Sequence, residues 1–218
     1  MGYFITFEGV EGCGKTTQIK LLSELLLARG MRTVLTREPG GCPIADKIRA
    51  ILLDAENSTL FPLPELMLYA AARAQHVKEV ISPALECGKI VLCDRFCDAT
   101  LAYQSFGRGI DRSVINNLNL LACQGVFPNL TILVDCDPLV GLDRARLRIE
   151  ATSGPREERF ELEELAFHQR VRAGYLQLAA DEPKRFLIID GSDSIERIFA
   201  TLSHQLLQRI PETLRAVC

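Results

Sequence analysis

The chain has 218 residues, of which 48% are hydrophobic and 24% charged, and its formal net charge is −3 at pH 7. This composition predicts a single globular domain with a substantial core and excludes a bulk attraction to nucleic acid or anionic membranes. No apolar run approaches the roughly 18 residues that span a bilayer, and no signal-like segment opens the chain, so we expect a cytoplasmic protein with no membrane partner. The eight cysteines are scattered without a C-x-x-C pair, which indicates reduced, mostly buried side chains.

The first apolar run, from Tyr3 to Phe7, predicts a strand that leads directly into a glycine-rich segment. That segment fits the pattern G-x-x-x-x-G-K-S/T, which is typical of a phosphate-binding loop. Its backbone N–H groups and the following helix N-terminus would face an anion, with a lysine for phosphate and a threonine hydroxyl for Mg²⁺. The segment is Gly9-Val10-Glu11-Gly12-Cys13-Gly14-Lys15-Thr16. It predicts a site for a nucleoside triphosphate and its metal.

Helical and apolar patterns then alternate along the chain. Apolar spacing predicts a first helix from Lys15 to Arg29, capped by Gly30. A short β-branched run, 33–36, precedes the turn Arg37-Glu38-Pro39-Gly40-Gly41, where proline and two glycines forbid regular structure. Further helices are predicted over 43–53, 62–86, 112–122, 138–149, 161–180 and 194–209.

Three more apolar runs, 90–93, 130–134 and 186–189, are each followed by an aspartate: Asp94, Asp135 and Asp190. Strands without alternation, separated by helices, predict a parallel sheet covered on both faces. In such a sheet, ligands bind beyond the carboxyl ends of the strands. We therefore expect one cleft to collect Glu8 with the loop, Arg37-Glu38, Asp94-Arg95 and Asp135. Asp94 could hold the metal through water and Arg95 could pair with phosphate, while Asp135 stays a rival metal ligand.

The polar segment from about 150 to 160 contains a Gly-Pro break and two arginines, Arg156 and Arg159. It could be an inert surface loop. Its place between two helices of a phosphate-binding fold favours a mobile lid, because phosphoryl transfer needs water excluded and positive charge supplied on closure. We predict no second domain, so residues 1–218 form one unit with this lid.

Several segments resemble bacterial thymidylate kinases across nearly the whole chain. With the phosphate loop, they are Thr36 to Gly41, Asp94-Arg95-Phe96, Asp98 to Gln104 and Arg159-Phe160-Glu161. The resemblance implies transfer of a phosphoryl group from ATP to dTMP with Mg²⁺, a nucleoside-monophosphate-kinase fold with five parallel strands, and a homodimer. Three departures affect the base edge and the lid: Ala99, Ser105 and a longer lid.

The resemblance also implies roles for individual residues. The segment from Gly9 to Thr17 would wrap the ATP phosphates, with Thr16 and Asp94 at the metal. Glu11 would reach toward the 3′-hydroxyl of dTMP or toward the metal region. The substrate phosphate would be held by Arg49 and Arg95, helped by Arg37 or Glu38. Tyr69 would stack on the thymine, Tyr103 would crowd the 2′ position, and the base edge would be bound by Arg73, Thr100 and Gln104.

The resemblance leaves one charge to be supplied. Some family members carry in the phosphate loop the arginine that neutralises the transferring phosphoryl group. This chain has Gly12 at that place, so the lid should provide the positive charge through Arg156 or Arg159. None of His76, His168 and His204 needs a catalytic role, and His76 is expected to be a packing or surface residue. A GTP-binding switch, a non-catalytic relative and a kinase for another acceptor such as dUMP or a deoxynucleoside remain as alternatives.

Overall fold

Five apolar runs form the strands, and all of them are close to the predicted bounds. They are β1 Tyr3–Glu8, β2 Thr33–Arg37, β3 Ile90–Asp94, β4 Leu130–Asp135 and β5 Phe186–Asp190. The computed structural model describes residues 2–150 and 159–215. Every pairing is parallel and the strand order is β2-β3-β1-β4-β5, which confirms the predicted five-stranded parallel sheet.

The strand register brings the predicted polar groups to one edge of the sheet. Asp94 lies opposite Phe7 of β1 and opposite Arg37 of β2, and Asp135 lies opposite Asp190. Because parallel strands end at the same edge, the phosphate loop after β1 opens beside the Arg37 turn and the Asp94-Arg95 pair.

Two apolar clusters cover the two faces of the sheet. Ile5 and Leu92 belong to the larger cluster, whereas their strand neighbours Phe4 and Val91 belong to the smaller one. Adjacent residues of a strand point to opposite faces, so this division places helices on both sides, as predicted.

Helices fill the connections between the strands. They are α1 Lys15–Ala28, α2 Pro43–Leu53, α3 Pro62–His76, α4 Ser82–Glu86, α5 Cys97–Thr100, α6 Arg112–Cys123, α7 Pro138–Glu150, α8 Leu165–Asp181, α9 Ile195–Arg209 and α10 Glu212–Arg215. π-helical turns at Val77–Ile81 and Leu101–Gly107 join α3 to α4 and extend α5. The helix predicted over 62–86 therefore exists with a π-turn inside it.

One predicted helix start is wrong. The helix expected from Glu161 begins at Leu165, with Glu164 in an extended conformation before it. Phe160 is buried edge-on against Tyr103, with ring centres 5.4 Å apart, and the Arg159 N–H donates to the Leu53 carbonyl. These long-range contacts hold the preceding residues in turns.

Within the described ranges, no helix is long and apolar enough to cross a membrane. Seven cysteines lie in these ranges, none in a disulfide, and six of them are buried. The predicted burial is therefore confirmed for six of these seven residues.

Candidate active site

The phosphate loop connects β1 to α1 through backbone that glycine favours. Gly9, Gly12 and Gly14 have φ angles of +140°, +64° and +97°. A Cβ on Gly9 would lie 2.4 Å from the Val134 carbonyl oxygen, and one on Gly12 would lie 1.9 Å from that of Gly141. At Gly9 and Gly12 a larger residue would collide with neighbouring backbone, so the glycines allow the loop to pack closely against β4 and α7.

Lys15 begins α1 and folds back over its own loop. Its Nζ donates to the carbonyl oxygens of Gly9 and Val10, at 2.9 and 2.8 Å, and its side chain is nearly buried. An ammonium held at the loop by neutral carbonyls is available to a phosphate group placed there.

Thr16 and Asp94 meet at the mouth of the loop. The Thr16 hydroxyl donates to Asp94 Oδ2 at 3.0 Å, and both residues line the cleft. A hydroxyl and a carboxylate beside a phosphate loop are oxygen ligands that suit Mg²⁺, so the donor set fits the metal. The rival Asp135 is engaged elsewhere, since Arg172 binds both of its oxygens at 2.7 and 2.8 Å.

Arg95 has a left-handed backbone, with φ +69°, which is uncommon for a residue with a side chain. Its N–H donates to the Phe7 carbonyl at 2.9 Å, and its guanidinium donates to the Gly9 carbonyl and to Glu11 Oε1, both at 3.0 Å. The same guanidinium lies 4.9 Å from the centre of the Tyr103 ring. Arg95 therefore reaches the centre of the cleft from β3.

Glu8 holds the backbone next to Arg95. Its two oxygens accept from the Phe96 N–H at 2.7 Å and from the Tyr175 hydroxyl at 2.8 Å. Complete burial raises the pKa of Glu8 to about 8, and the neighbouring Asp98 charge adds to the shift. Sequence reasoning placed Glu8 at this edge but missed Tyr175, which lies in α8 and carries no local signal.

Glu11 is the acidic residue of the loop, and three side chains hold its carboxylate. Arg95 and the Tyr103 hydroxyl donate to Oε1, and His168 Nδ1 lies 3.1 Å from Oε2. Burial raises the pKa of Glu11, but the His168 hydrogen bond and the Arg95 charge outweigh it and lower the pKa to about 2. His168 is fully buried and was not predicted in any site role.

The predicted substrate residue Glu38 pairs with Arg73 and His76. Arg73 Nε lies 2.8 Å from Glu38 Oε2, and His76 Nδ1 lies 2.9 Å from Oε1. His76 is buried and also bonds to the Thr36 hydroxyl at 2.7 Å, so the packing interpretation of His76 holds and the surface one is wrong.

Arg73 is held at every nitrogen of its guanidinium. Besides Glu38, Nη2 donates to the Thr100 hydroxyl at 2.9 Å and Nη1 to Asn119 Oδ1 at 2.6 Å. Arg73 is 2% exposed, so its charge is buried in the protein. Asn119, from α6, is another residue that sequence reasoning missed.

The remaining residues predicted to bind substrate lie around the same cleft. Arg49 donates to the Pro39 carbonyl at 2.9 Å, whereas Arg37 is exposed and faces Asp46 at 3.4 Å. Tyr69 lines the cleft, and burial raises the pKa of its hydroxyl. The cleft has a volume of about 1380 Å³ and is also lined by Tyr103, Gln104 and the loop from Glu11 to Thr17.

The structure adds residues at the other end of the cleft that were not predicted. Arg144, Arg146 and Arg148 of α7 line it, together with Gly191 and Asp193 after β5. Arg144 donates to the Gly191 carbonyl at 3.1 Å. The run of alternate arginines was a usable signal, although alternate positions of a helix do not ordinarily share a face.

The two lid arginines differ. Arg156 lies outside the described residues, as does most of the lid. Arg159 is buried: Nε donates to the Leu52 carbonyl at 2.6 Å and Nη2 lies 2.7 Å from Glu65 Oε2. Arg159 is therefore engaged with Leu52 and Glu65 and is not among the residues that line the cleft.

A phosphate loop on a parallel sheet, facing a second arginine-lined end of the same cleft, defines the class: a P-loop kinase that passes a phosphoryl group to a second substrate. The family model described as "Thymidylate kinase" matches residues 7–202. The chain belongs to the thymidylate kinase family, and it is a phosphotransferase of that kind.

Individual relatives agree with the family model. The thymidylate kinase of Trichlorobacter lovleyi is 66% identical over 95% of this chain and 98% of its own length. That of Pelobacter propionicus is 63% identical over the full length of both chains. The crystal structure of thymidylate kinase from Ehrlichia chaffeensis superposes with a TM-score of 0.73 at 36% identity, covering 94% of this chain and 98% of that one.

Proposed function

We propose that this chain transfers the γ-phosphoryl group of ATP to dTMP, with Mg²⁺, and thereby supplies dTDP for dTTP synthesis. The observation that carries this proposal is the single cleft in which the phosphate loop, Arg95 and the Arg73 pocket face one another. A cleft of about 1380 Å³ has room for both nucleotides.

At the donor end, the loop from Gly9 to Thr17 wraps the ATP phosphates through its N–H groups, and Lys15 exchanges its carbonyl partners for phosphate oxygens. Thr16 and Asp94 would hold Mg²⁺, which would supply positive charge to the transferred group. The α7 arginines beside Gly191 extend this end beyond the loop, toward the place left for the nucleoside of ATP.

At the acceptor end, Arg95 and Arg49 hold the phosphate of dTMP, assisted by Arg37, and all three residues line the cleft. Glu11 accepts from the 3′-hydroxyl of the sugar. Its low pKa supports this role, because a carboxylate that stays ionised is a constant acceptor.

The base is recognised by Arg73, Thr100 and Gln104, with Tyr69 stacked on its face. Tyr103 lies against the sugar and disfavours a 2′-hydroxyl. Glu38 acts through Arg73, whose guanidinium it orients from below.

The reaction needs no strong general base. The second pKa of a phosphate monoester is about 6, so the attacking oxygen is mostly anionic at neutral pH. Catalysis depends instead on aligning two anions and on positive charge around the transferring group. Arg95 and Lys15 supply part of that charge.

The lid supplies the rest through Arg156 or Arg159. The Glu65 pair of Arg159 favours Arg156, because Arg159 would have to leave a buried ion pair to act. Replacing the acting arginine with alanine should lower kcat by about 10³ with little change in dTMP affinity. Unchanged kcat in both R156A and R159A would remove the lid arginines from the mechanism.

The substrate assignment is tested by coupled ADP release with dTMP, dUMP, dCMP, AMP and thymidine. We expect dTMP to be phosphorylated fastest, and a preference for ATP over GTP as donor. Activity with thymidine alone would overturn the assignment to a monophosphate kinase.

We also propose a cytoplasmic homodimer. Exposed apolar side chains on α3 and α6 support a subunit contact there, namely Leu63, Met67, Leu120 and Leu121. Sedimentation equilibrium of the wild-type protein should give twice the mass of one chain. The L120E/L121E variant should give the mass of one chain.

A further inference from the structure

Glu65 lies in the first turn of α3 and is fully buried at 0% exposure. Glutamate is rarely buried unless it is paired. Its oxygens meet three side chains from later in the chain: Gln104, Arg108 and Arg159. A buried carboxylate with this many fixed donors has a defined orientation.

One of these donors, Gln104, belongs to the base end of the cleft, which is the part lined by Arg73, Thr100 and Gln104. Gln104 Nε2 donates to Glu65 Oε1 at 2.8 Å, and Gln104 lines the cleft while being only 1% exposed. An ionised carboxylate only accepts hydrogen bonds, so it attracts the NH₂ group of an amide and repels its oxygen. Glu65 therefore decides which way the Gln104 amide is turned.

Two guanidinium groups balance the buried charge of Glu65. Arg159 Nη2 lies 2.7 Å from Oε2, and Arg108 lies 3.4 Å from each oxygen. Arg108 also packs over the Phe167 ring at 4.8 Å, which fixes it in turn. Because the carboxylate is anchored from two sides, it can hold the amide without moving toward it.

We propose that Glu65 is a positioning residue that sets base specificity by fixing the amide of Gln104 with its carbonyl oxygen available to the base. Resting on the proposed function, this inference concerns the pyrimidine N3 position. Thymine and uracil carry an N3–H donor, which an amide oxygen accepts, whereas cytosine carries an N3 acceptor, which it repels. A site built to bind a substrate N–H rejects the analogue that lacks it.

The test is Glu65→Gln, which removes the charge that orients the amide and keeps the volume. Two amides can pair in either direction, so Gln104 can then present its NH₂ group to the base. We expect the ratio of kcat/KM for dTMP over dCMP to fall by about tenfold or more. The KM for dTMP should rise while its kcat changes less than about threefold, and calorimetry should show the same weakening of dTMP binding.

Glu79→Gln is the matched control. Glu79 also accepts from a glutamine amide, that of Gln75 at 2.8 Å, but it is exposed on the outer side of the same helical segment. The control should keep the wild-type ratio. Glu65→Asp keeps the charge but moves it back by one methylene, so the ratio of kcat/KM for dTMP over dCMP should lie between those of wild type and E65Q. This variant replaces E65Q in the test if E65Q does not fold.

The outcomes separate the two proposals. A wild-type chain that does not phosphorylate dTMP overturns the proposed function. If the wild-type chain phosphorylates dTMP, the role of Glu65 can still be overturned alone. This is the result if the ratio of kcat/KM for dTMP over dCMP in folded E65Q or E65D lies within twofold of the wild-type ratio.

Discussion

The two ends of the cleft are built in different ways. In the phosphate loop, Lys15 bonds to carbonyl groups five and six residues away in the chain, whereas Arg73 is held by side chains from three separate segments. The loop depends on local backbone geometry, while the base end depends on the completed fold. A change to Lys15 should therefore affect the chemistry with little effect on stability, and a change at the base end should affect both.

The strongest test of that difference is Lys15→Ala. Removing the ammonium from the transferring phosphoryl group should lower kcat by about 10²–10³, with a small change in the free energy of unfolding. Coupled ADP release and urea unfolding measure the two effects. The exposed Lys20→Ala on the same helix is the control, and a K15A enzyme within threefold of wild type would contradict the role of Lys15.

Glu38→Ala tests the base end. It leaves Arg73 buried without its carboxylate, so the free energy of unfolding should fall by about 3–5 kcal/mol and the KM for dTMP should rise. Urea unfolding with and without dTMP measures both. The exposed Glu86→Ala should leave both unchanged, and an E38A chain as stable as wild type would show that the buried pair is not needed.

Glu8 directly precedes the phosphate loop, and its burial predicts a dependence of stability on pH. Its pKa rises from 4.5 to about 8 on folding, so the folded chain holds a proton that the unfolded chain has lost between these values. Its contribution is complete below pH 4.5 and is lost as pH rises toward 8, at up to about 1.4 kcal/mol per pH unit. Urea unfolding at pH 5.5, 6.5 and 7.5 should give a steeper decline for wild type than for E8Q. Parallel declines would show that Glu8 ionises normally.

The smallest expected effect is at His168, which reaches the loop from α8. His168→Phe removes the hydrogen bond to Glu11, and kcat/KM for dTMP should fall by about tenfold. If His168 acts through Glu11 on the 3′-hydroxyl, the substitution should lower kcat/KM less for the 3′-deoxy analogue of dTMP than for dTMP itself. The exposed His204→Phe is the control, and equal losses with the two substrates would make His168 a purely structural residue.

The parts of the molecule that depend on local sequence were predictable. Continuous apolar runs predicted four of the strands, a β-branched run marked the position of β2, and the glycine pattern predicted the turn between β1 and α1. The turn from Arg37 to Gly41 was also predicted, because proline and glycine restrict the backbone directly.

What could not be predicted is how distant side chains pair. Glu65, His168 and Tyr175 lie on helices, where nothing in the neighbouring residues distinguishes a buried polar group from an exposed one. Their partners are 39 to 167 residues away in the chain. The late start of α8 has the same origin, since Phe160 packs against Tyr103 and overrides the helical pattern around it.

Gly12 limits which substitutions the phosphate loop can accept. A Cβ there would lie 1.9 Å from the Gly141 carbonyl oxygen, and a Cβ on Gly141 would lie 2.3 Å from that of Glu11. Neither Gly12 of the loop nor Gly141 of α7 therefore has room for a side chain where the two segments touch. An arginine therefore cannot replace Gly12 in this chain by one substitution, because the backbone of α7 would have to shift first. A chain that acquired a side chain at this position would pass through a less stable form before the two segments moved apart.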